Sequence, residues 1–170
     1  MLDTGFDTWE RATKAFMTTD MFPKLRSRVF FIDGVQYRMA RTDKGAGMIH
    51  PDMGPASTLF PPALPRQLHA MLLGCILTDA AVSPRSLQSA LTYAVERSFN
   101  SISVDMSTND AVLLLANGAV VTSASMVVKE IDEESDRAAY DVFKHELTDF
   151  AIEVAQLVVR DGKARPSLLW

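Results

Sequence analysis

Lys44-Gly45-Ala46-Gly47 is the first stretch of the chain whose residue types and spacing could do chemistry. Glycines beside a lysine can cradle a phosphate, but the Gly-Lys-Ser/Thr ending of a nucleotide loop is missing here. A strand-like Met48-Ile49 follows where a phosphate loop would open a helix. His50, His69 and His145 are scattered, with no second histidine or carboxylate at ligand spacing, so no metal site is expected. Cys75 lies inside the apolar run Ala70 to Leu77, which predicts a buried, inert thiol. Glu130, Asp132, Glu133, Glu134 and Asp136 read as a solvated acidic linker entering a helix start, where negative charge is favoured. Taken singly, none of these groups supplies nucleophile, base and oxyanion donors together.

The elements that must position them are of mixed type. Asp7, with Glu10 three residues on, has capping-box spacing, and Trp9, Ala12, Ala15 and Phe16 share a face, which predicts a helix over 8–17. Asp33-Gly34 between β-prone runs predicts a hairpin over 28–40. Prolines at 51, 55, 61, 62 and 65 make 54–67 an exposed loop insertion. Ala70 to Leu77 should then be a buried strand. Ser83-Pro84 opens a helix that continues to about Ser98. Ser101 to Asp105 reads as a strand, and Ser107 to Asp110 as the cap of a buried helix, Ala111 to Ala116, stopped by Asn117-Gly118. A polar linker, Lys129 to Asp136, precedes a helix striped by Tyr140, Phe143, Leu147, Phe150, Val154, Leu157 and Val158, which Gly162 should end. The fold class is α/β, an α+β layered sandwich.

Composition narrows the function classes. Within 170 residues, 48% hydrophobic and 22% charged is ordinary globular content. A net charge of -4 excludes a nucleic-acid binder that works by bulk charge. A single cysteine allows no internal disulfide, and no apolar run is long enough to span a membrane. Met1 to Asp7 has neither a basic n-region nor an Arg-rich stretch, so no targeting signal is expected in the chain as written.

Four segments, in this order, carry a resemblance: Ala15 to Lys24 (AFMTTDMFPK), Lys44 to Met53 (KGAGMIHPDM), Phe99 to Asp105 running into Ser107-Thr108-Asn109-Asp110, and Val158-Val159-Arg160-Asp161-Gly162. Together they resemble the ornithine acetyltransferase family, the bifunctional glutamate N-acetyltransferases of arginine biosynthesis, over nearly the whole stretch from Phe6 to Gly162. The proline-rich insertion followed by Leu68-His69-Ala70 is similar to the fungal branch.

The resemblance implies an N-terminal-nucleophile-like fold, present in part, and an enzyme that cuts itself between an alanine and a threonine. The freed threonine takes an acetyl group from N-acetylornithine and passes it to glutamate, with its own α-amine, of pKa about 8, as the base. No cofactor is implied. By the same resemblance, cleavage maps to Ala70 and Met71. Residues 1–70 are then the end of the family's α chain and 71–170 the beginning of its β chain, in an α/β heteromer of the mitochondrial matrix. Thr18 or Thr19 and Lys44 match substrate-contacting positions, the lysine suited to the α-carboxylate of both substrates.

The chain departs from the family pattern at definite places. Met71 stands where the nucleophilic threonine is expected, and Thr58 is the first alternative hydroxyl. The stretch before Ser107 is shortened to Val104-Asp105-Met106, and Lys163 follows Gly162 where a glutamate is expected nearby. The family's oxyanion Thr-Gly pair and its C-terminal tail are expected outside this chain. The alternative to acetyl transfer is therefore a catalytically inactive fragment or remnant of such an enzyme.

Overall fold

Asp33 and Gly34 take φ of 50° and 79°, the paired left-handed conformation of a two-residue hairpin turn. From that turn the computed structural model, which describes residues 6–18, 20–46, 50–51, 72–102, 106–107, 110–120 and 128–164, builds its main sheet. The elements in order are α1 (Phe6–Phe16), β1 (Lys24–Ile32), β2 (Val35–Lys44), β3 (His50–Pro51), β4 (Leu73–Thr78), α2 (Pro84–Arg97), α3 (Phe99–Ile102), β5 (Met106–Ser107), β6 (Ala111–Ala116) and α4 (Arg137–Ala164).

The hairpin is longer than the expected 28–40. It runs in register from Ile32↔Val35 beside the turn to Lys24↔Asp43 at its open end, with the Phe30 and Tyr37 rings stacked at 5.4 Å. The sheet order is β1-β2-β4-β6, with β2 antiparallel to β4 and β4 parallel to β6; β3 and β5 make a separate two-residue parallel pair.

Two expectations of element type are overturned. Ala111 to Ala116 is strand β6, not a buried helix. A six-residue apolar run fits either period, and pairing with β4 decides it: Val112 and Leu114 turn inward while Leu113 and Leu115 stay half-exposed. Ser101 and Ile102 lie in the short helix α3, not in a strand; the rest of that predicted strand, 103–105, lies outside the described residues. The buried Ser98 hydroxyl donates to Ala94 O at 2.6 Å, and the chain turns there so that Phe99 is fully buried.

Helices α2, α3 and α4 pack on one face of the sheet. Tyr37, Met39, Ile76 and Val112 meet Leu91 and Val95 of α2, and Tyr140, Phe143, Leu147 and Phe150 of α4, in one core. Ser83-Pro84 opens α2 as expected, although the Ser83 side chain makes no cap bond. Helix α4 continues through Gly162 to Ala164. A helical glycine costs only about 1 kcal/mol, and the buried carboxylate of Asp161 ties the last turns to β1. On the opposite face α1 touches the sheet through Thr13 and Thr42, whose hydroxyls lie 3.1 Å apart. It leaves Val29, Phe31, Leu113 and Leu115 at least half exposed. Among the described residues no helix is long and apolar enough to cross a membrane.

Candidate functional site

The charged residues of β1 and β2 would be expected in water, yet at one end of the sheet they are buried. Lys24, the first residue of β1, is completely buried, as is Asp161. An unpaired ammonium there would be prohibitively costly, so it is paired twice. Its Nζ donates to Asp20 Oδ1 at 2.6 Å and to Asp161 Oδ2 from α4, and it lies 5.2 Å from the centre of the Phe22 ring.

Two carboxylates against one ammonium leave one negative charge, and backbone donors take it up. The Met21 N–H points at both oxygens of Asp161, at 3.1 and 3.2 Å. Asp20 accepts the Thr18 N–H on Oδ2 at 3.0 Å and the Gly45 N–H on Oδ1 at 2.8 Å. Gly45 has a φ of 126°, a conformation that suits glycine and turns its N–H toward Asp20. Burial alone would raise the Asp20 carboxyl; the Lys24 hydrogen bond, the two N–H donors and the lysine charge outweigh it and hold the group below the ordinary carboxylate range.

The neighbouring end of the sheet brings in the remaining segments. Lys44 closes β2 directly across from Leu73, which opens β4. It is half-buried, and among the described residues it forms no ion pair. Leu72, the residue after Met71, is fully buried. Its N–H donates to Asp110 Oδ1 at 2.9 Å and its carbonyl accepts from the Ala111 N–H at 3.2 Å. Beneath them Arg41 Nε and Nη2 both donate to Asp43 Oδ1, at 2.9 and 2.8 Å, with the guanidinium 4.3 Å from the Phe99 ring. Burial pushes the Asp43 carboxyl up, against the opposing pull of Arg41.

Of the expected site residues, Thr18 and Lys44 are therefore joined through one carboxylate, since Gly45 adjoins Lys44 and shares Asp20 with Thr18. Thr19, Thr58, His69, Ala70 and Met71 lie outside the described residues, as do the strand at Met48-Ile49 and the loop over 54–67. Asp20, Lys24 and Asp161 were inside the quoted segments but had no role. The signal for them was present: a lysine and acids set among Phe16, Phe22, Val158 and Val159.

Two other expectations are corrected. Cys75 is on a strand but only half-buried, because β4 buries alternate residues and Cys75 faces the thinly covered side. Burial still raises its thiol, as does Asp43, against the pull of Arg41. Asp132 is not simply solvated linker. Its carboxylate accepts from Ser83 Oγ at 2.6 Å and from the N–H groups of Glu134 and Ser135, and these bonds hold it well below its usual range. Asp136 caps α4, accepting the Ala139 N–H at 3.1 Å. His145 is exposed on α4, and no three metal-binding side chains are grouped among the described residues.

Comparison with known proteins adds to this geometry. The model of the ArgJ family matches residues 2–168. The mitochondrial arginine biosynthesis bifunctional protein ArgJ of Laccaria bicolor is 68% identical over 164 residues, 95% of this chain and 33% of that protein. Its counterpart in Coprinopsis cinerea is 67% identical over 164 residues, again 95% and 33%. The one in Cryptococcus neoformans var. neoformans serotype D is 51% identical over 172 residues, 95% and 34%. The chain thus spans about a third of the length of the curated relatives it matches.

Proposed function

The chain belongs to the ArgJ family, and from that premise we propose that it forms the substrate-gripping part of an enzyme that moves an acetyl group from N2-acetylornithine to glutamate in arginine biosynthesis. One observation carries this reading. The backbone N–H groups of Thr18 and of Gly45, the neighbour of Lys44, are held by the two oxygens of a single carboxylate, Asp20. Acetyl donor and acceptor share an α-carboxylate, and an ammonium at Lys44 is suited to it in both half-reactions. The Thr18 hydroxyl can donate to a substrate oxygen.

The attacking group belongs at the start of β4. In the family the threonine freed by cleavage carries the acetyl group; here Met71 holds that position, and a thioether has no proton to lose. Leu72, pinned to Asp110 and Ala111, and Leu73, opposite Lys44, open β4 at the same sheet end as the carboxylate grip, which supports this reading. The rest of the reading follows the family: an N-terminal-nucleophile-like fold, α and β segments meeting at Ala70 and Met71 and associating as a heteromer, and residence in the mitochondrial matrix. The word mitochondrial in the relatives' names supports the last.

Titrating the isotope-labelled chain with N-acetylornithine tests the grip. The amides of Thr18 and Lys44 should shift with N-acetylornithine and with glutamate but not with N-acetylputrescine, which lacks the carboxylate. Lys44→Met should abolish the carboxylate dependence. Equal shifts with all three compounds, or none with any, would refute the reading.

A further inference from the structure

We propose that Asp20 is a positioning residue for substrate binding: its carboxylate, anchored by Lys24 and Asp161, sets Thr18 and Lys44 in one frame around the substrate carboxylate. This rests on the reading of the site just given. The geometry separates two kinds of bond at Asp20. The bonds to the Thr18 and Gly45 N–H groups, at 3.0 and 2.8 Å, reach the two substrate segments, at residues 27 apart in the chain. The bond to Lys24 at 2.6 Å reaches the buried anchor, which Asp161 shares from the far end of the fold.

A carboxylate can accept all three donors at once; an amide cannot. Asp20→Asn keeps one oxygen and presents an NH2 group to the other donors, so Thr18 or Gly45 must let go. A core truncation away from the site, Leu147→Ala, serves as the stability control, because it removes buried packing and leaves every bond at Asp20 in place. Gly45→Ala does the reverse. At φ 126° a side chain is strained, so the amide moves off Asp20 while every buried charge keeps its partner.

The test measures N-acetylornithine affinity and the urea midpoint on the whole chain for each variant. Asp20→Asn and Gly45→Ala should each weaken N-acetylornithine by about tenfold or more, as expected when a charge-assisted contact loses its alignment. Leu147→Ala should lower the midpoint and leave affinity within about threefold of wild type. In a Lys44→Met background Asp20→Asn should cost little further affinity, since its effect passes through Lys44; a merely structural role would give the same loss in both backgrounds. Should Asp20→Asn not fold, Gly45→Ala carries the same comparison. Affinity that follows the midpoint across all variants, or survives in Gly45→Ala, overturns the proposal while leaving the carboxylate grip standing. Loss of carboxylate-dependent binding in the wild type overturns both.

Discussion

Gly74→Ala adds one methyl group at the place where the sheet can least accept it. Gly74 pairs with Asp43 across β2 and β4, and a Cβ there would stand 2.4 Å from Asp43 Oδ1 and 2.9 Å from Arg41 Nη2. That oxygen is the one that takes both Arg41 hydrogen bonds, and neither side chain has any exposed surface into which to swing. A carbon–oxygen contact needs about 3.3 Å, so the carboxylate must retreat by about 1 Å. Overpacking of this kind costs about 1–3 kcal/mol, and disrupting a buried ion pair outright about 3–5 kcal/mol. A loss of about 2–4 kcal/mol follows, which for a chain of this length lowers the melting temperature by about 5–15 °C. Thermal melts by circular dichroism, with urea titrations for the free energy, read it directly. The cause is isolated by repeating the substitution in an Arg41→Met/Asp43→Ala background, where the oxygen is gone and the added methyl should cost under about 0.5 kcal/mol. A melt within about 2 °C of wild type, or an equal loss in both backgrounds, would refute the clash as the reason for glycine here.

Three further outcomes are expected. Because self-cleavage after Ala70 needs a hydroxyl on the next residue, the purified chain should persist as one 18.7 kDa species by mass spectrometry, and only Met71→Thr should restore cutting; two fragments from the unaltered chain would place the nucleophile elsewhere, Thr58 first. Cys75, half-buried with a raised thiol, should react slowly with iodoacetamide at neutral pH and faster as pH rises past the ordinary thiol range; rapid labelling at pH 7 without unfolding contradicts this. Asp20, whose folded carboxyl lies below the ordinary value of about 3.9, contributes stability that is complete above that value and lost as pH falls through the folded one. Asp20→Asn should therefore flatten the acid limb of the stability curve, and an unchanged limb would exclude Asp20 as its source.

What could be read from the sequence was local. Asp33-Gly34 gave the hairpin because both residues accept positive φ at small cost, and the stripe from Tyr140 to Val158 gave α4 because 19 residues of helical period leave no competing pattern. Ala111 to Ala116 was misread because a run of six apolar residues satisfies a buried helix and a strand equally, and only the neighbouring β4 decides. Gly162 was misread as a stop because its local preference yields to a contact made by Asp161. The burial of Cys75 was overstated for a related reason: how well each sheet face is covered is a tertiary fact. Thr18 and Lys44 came from resemblance, while the Asp20, Lys24 and Asp161 network, whose Lys24 and Asp161 stand 137 residues apart, leaves no periodic trace.

That network also shows why burying charge here is not a device for stability. Removing Lys24 alone, as Lys24→Met, leaves two carboxylates facing each other out of water and should cost about 3–5 kcal/mol at pH 7. Their mutual repulsion and burial raise one carboxyl above its unfolded value, so the variant should gain stability as pH falls toward 5, opposite in sign to the wild type, as one group takes a proton and donates it to the other. Replacing the lysine together with its distant partner, as Lys24→Met/Asp161→Leu, removes one charge of each sign and should recover most of the loss, because apolar packing commonly does as well as a buried ion pair. If the pair of substitutions restores stability while the Thr18 and Gly45 amides exchange faster than in wild type, position and not free energy is what the trio supplies. A Lys24→Met variant equally destabilised at pH 5 and pH 7 would show that the two carboxylates do not share the site as described.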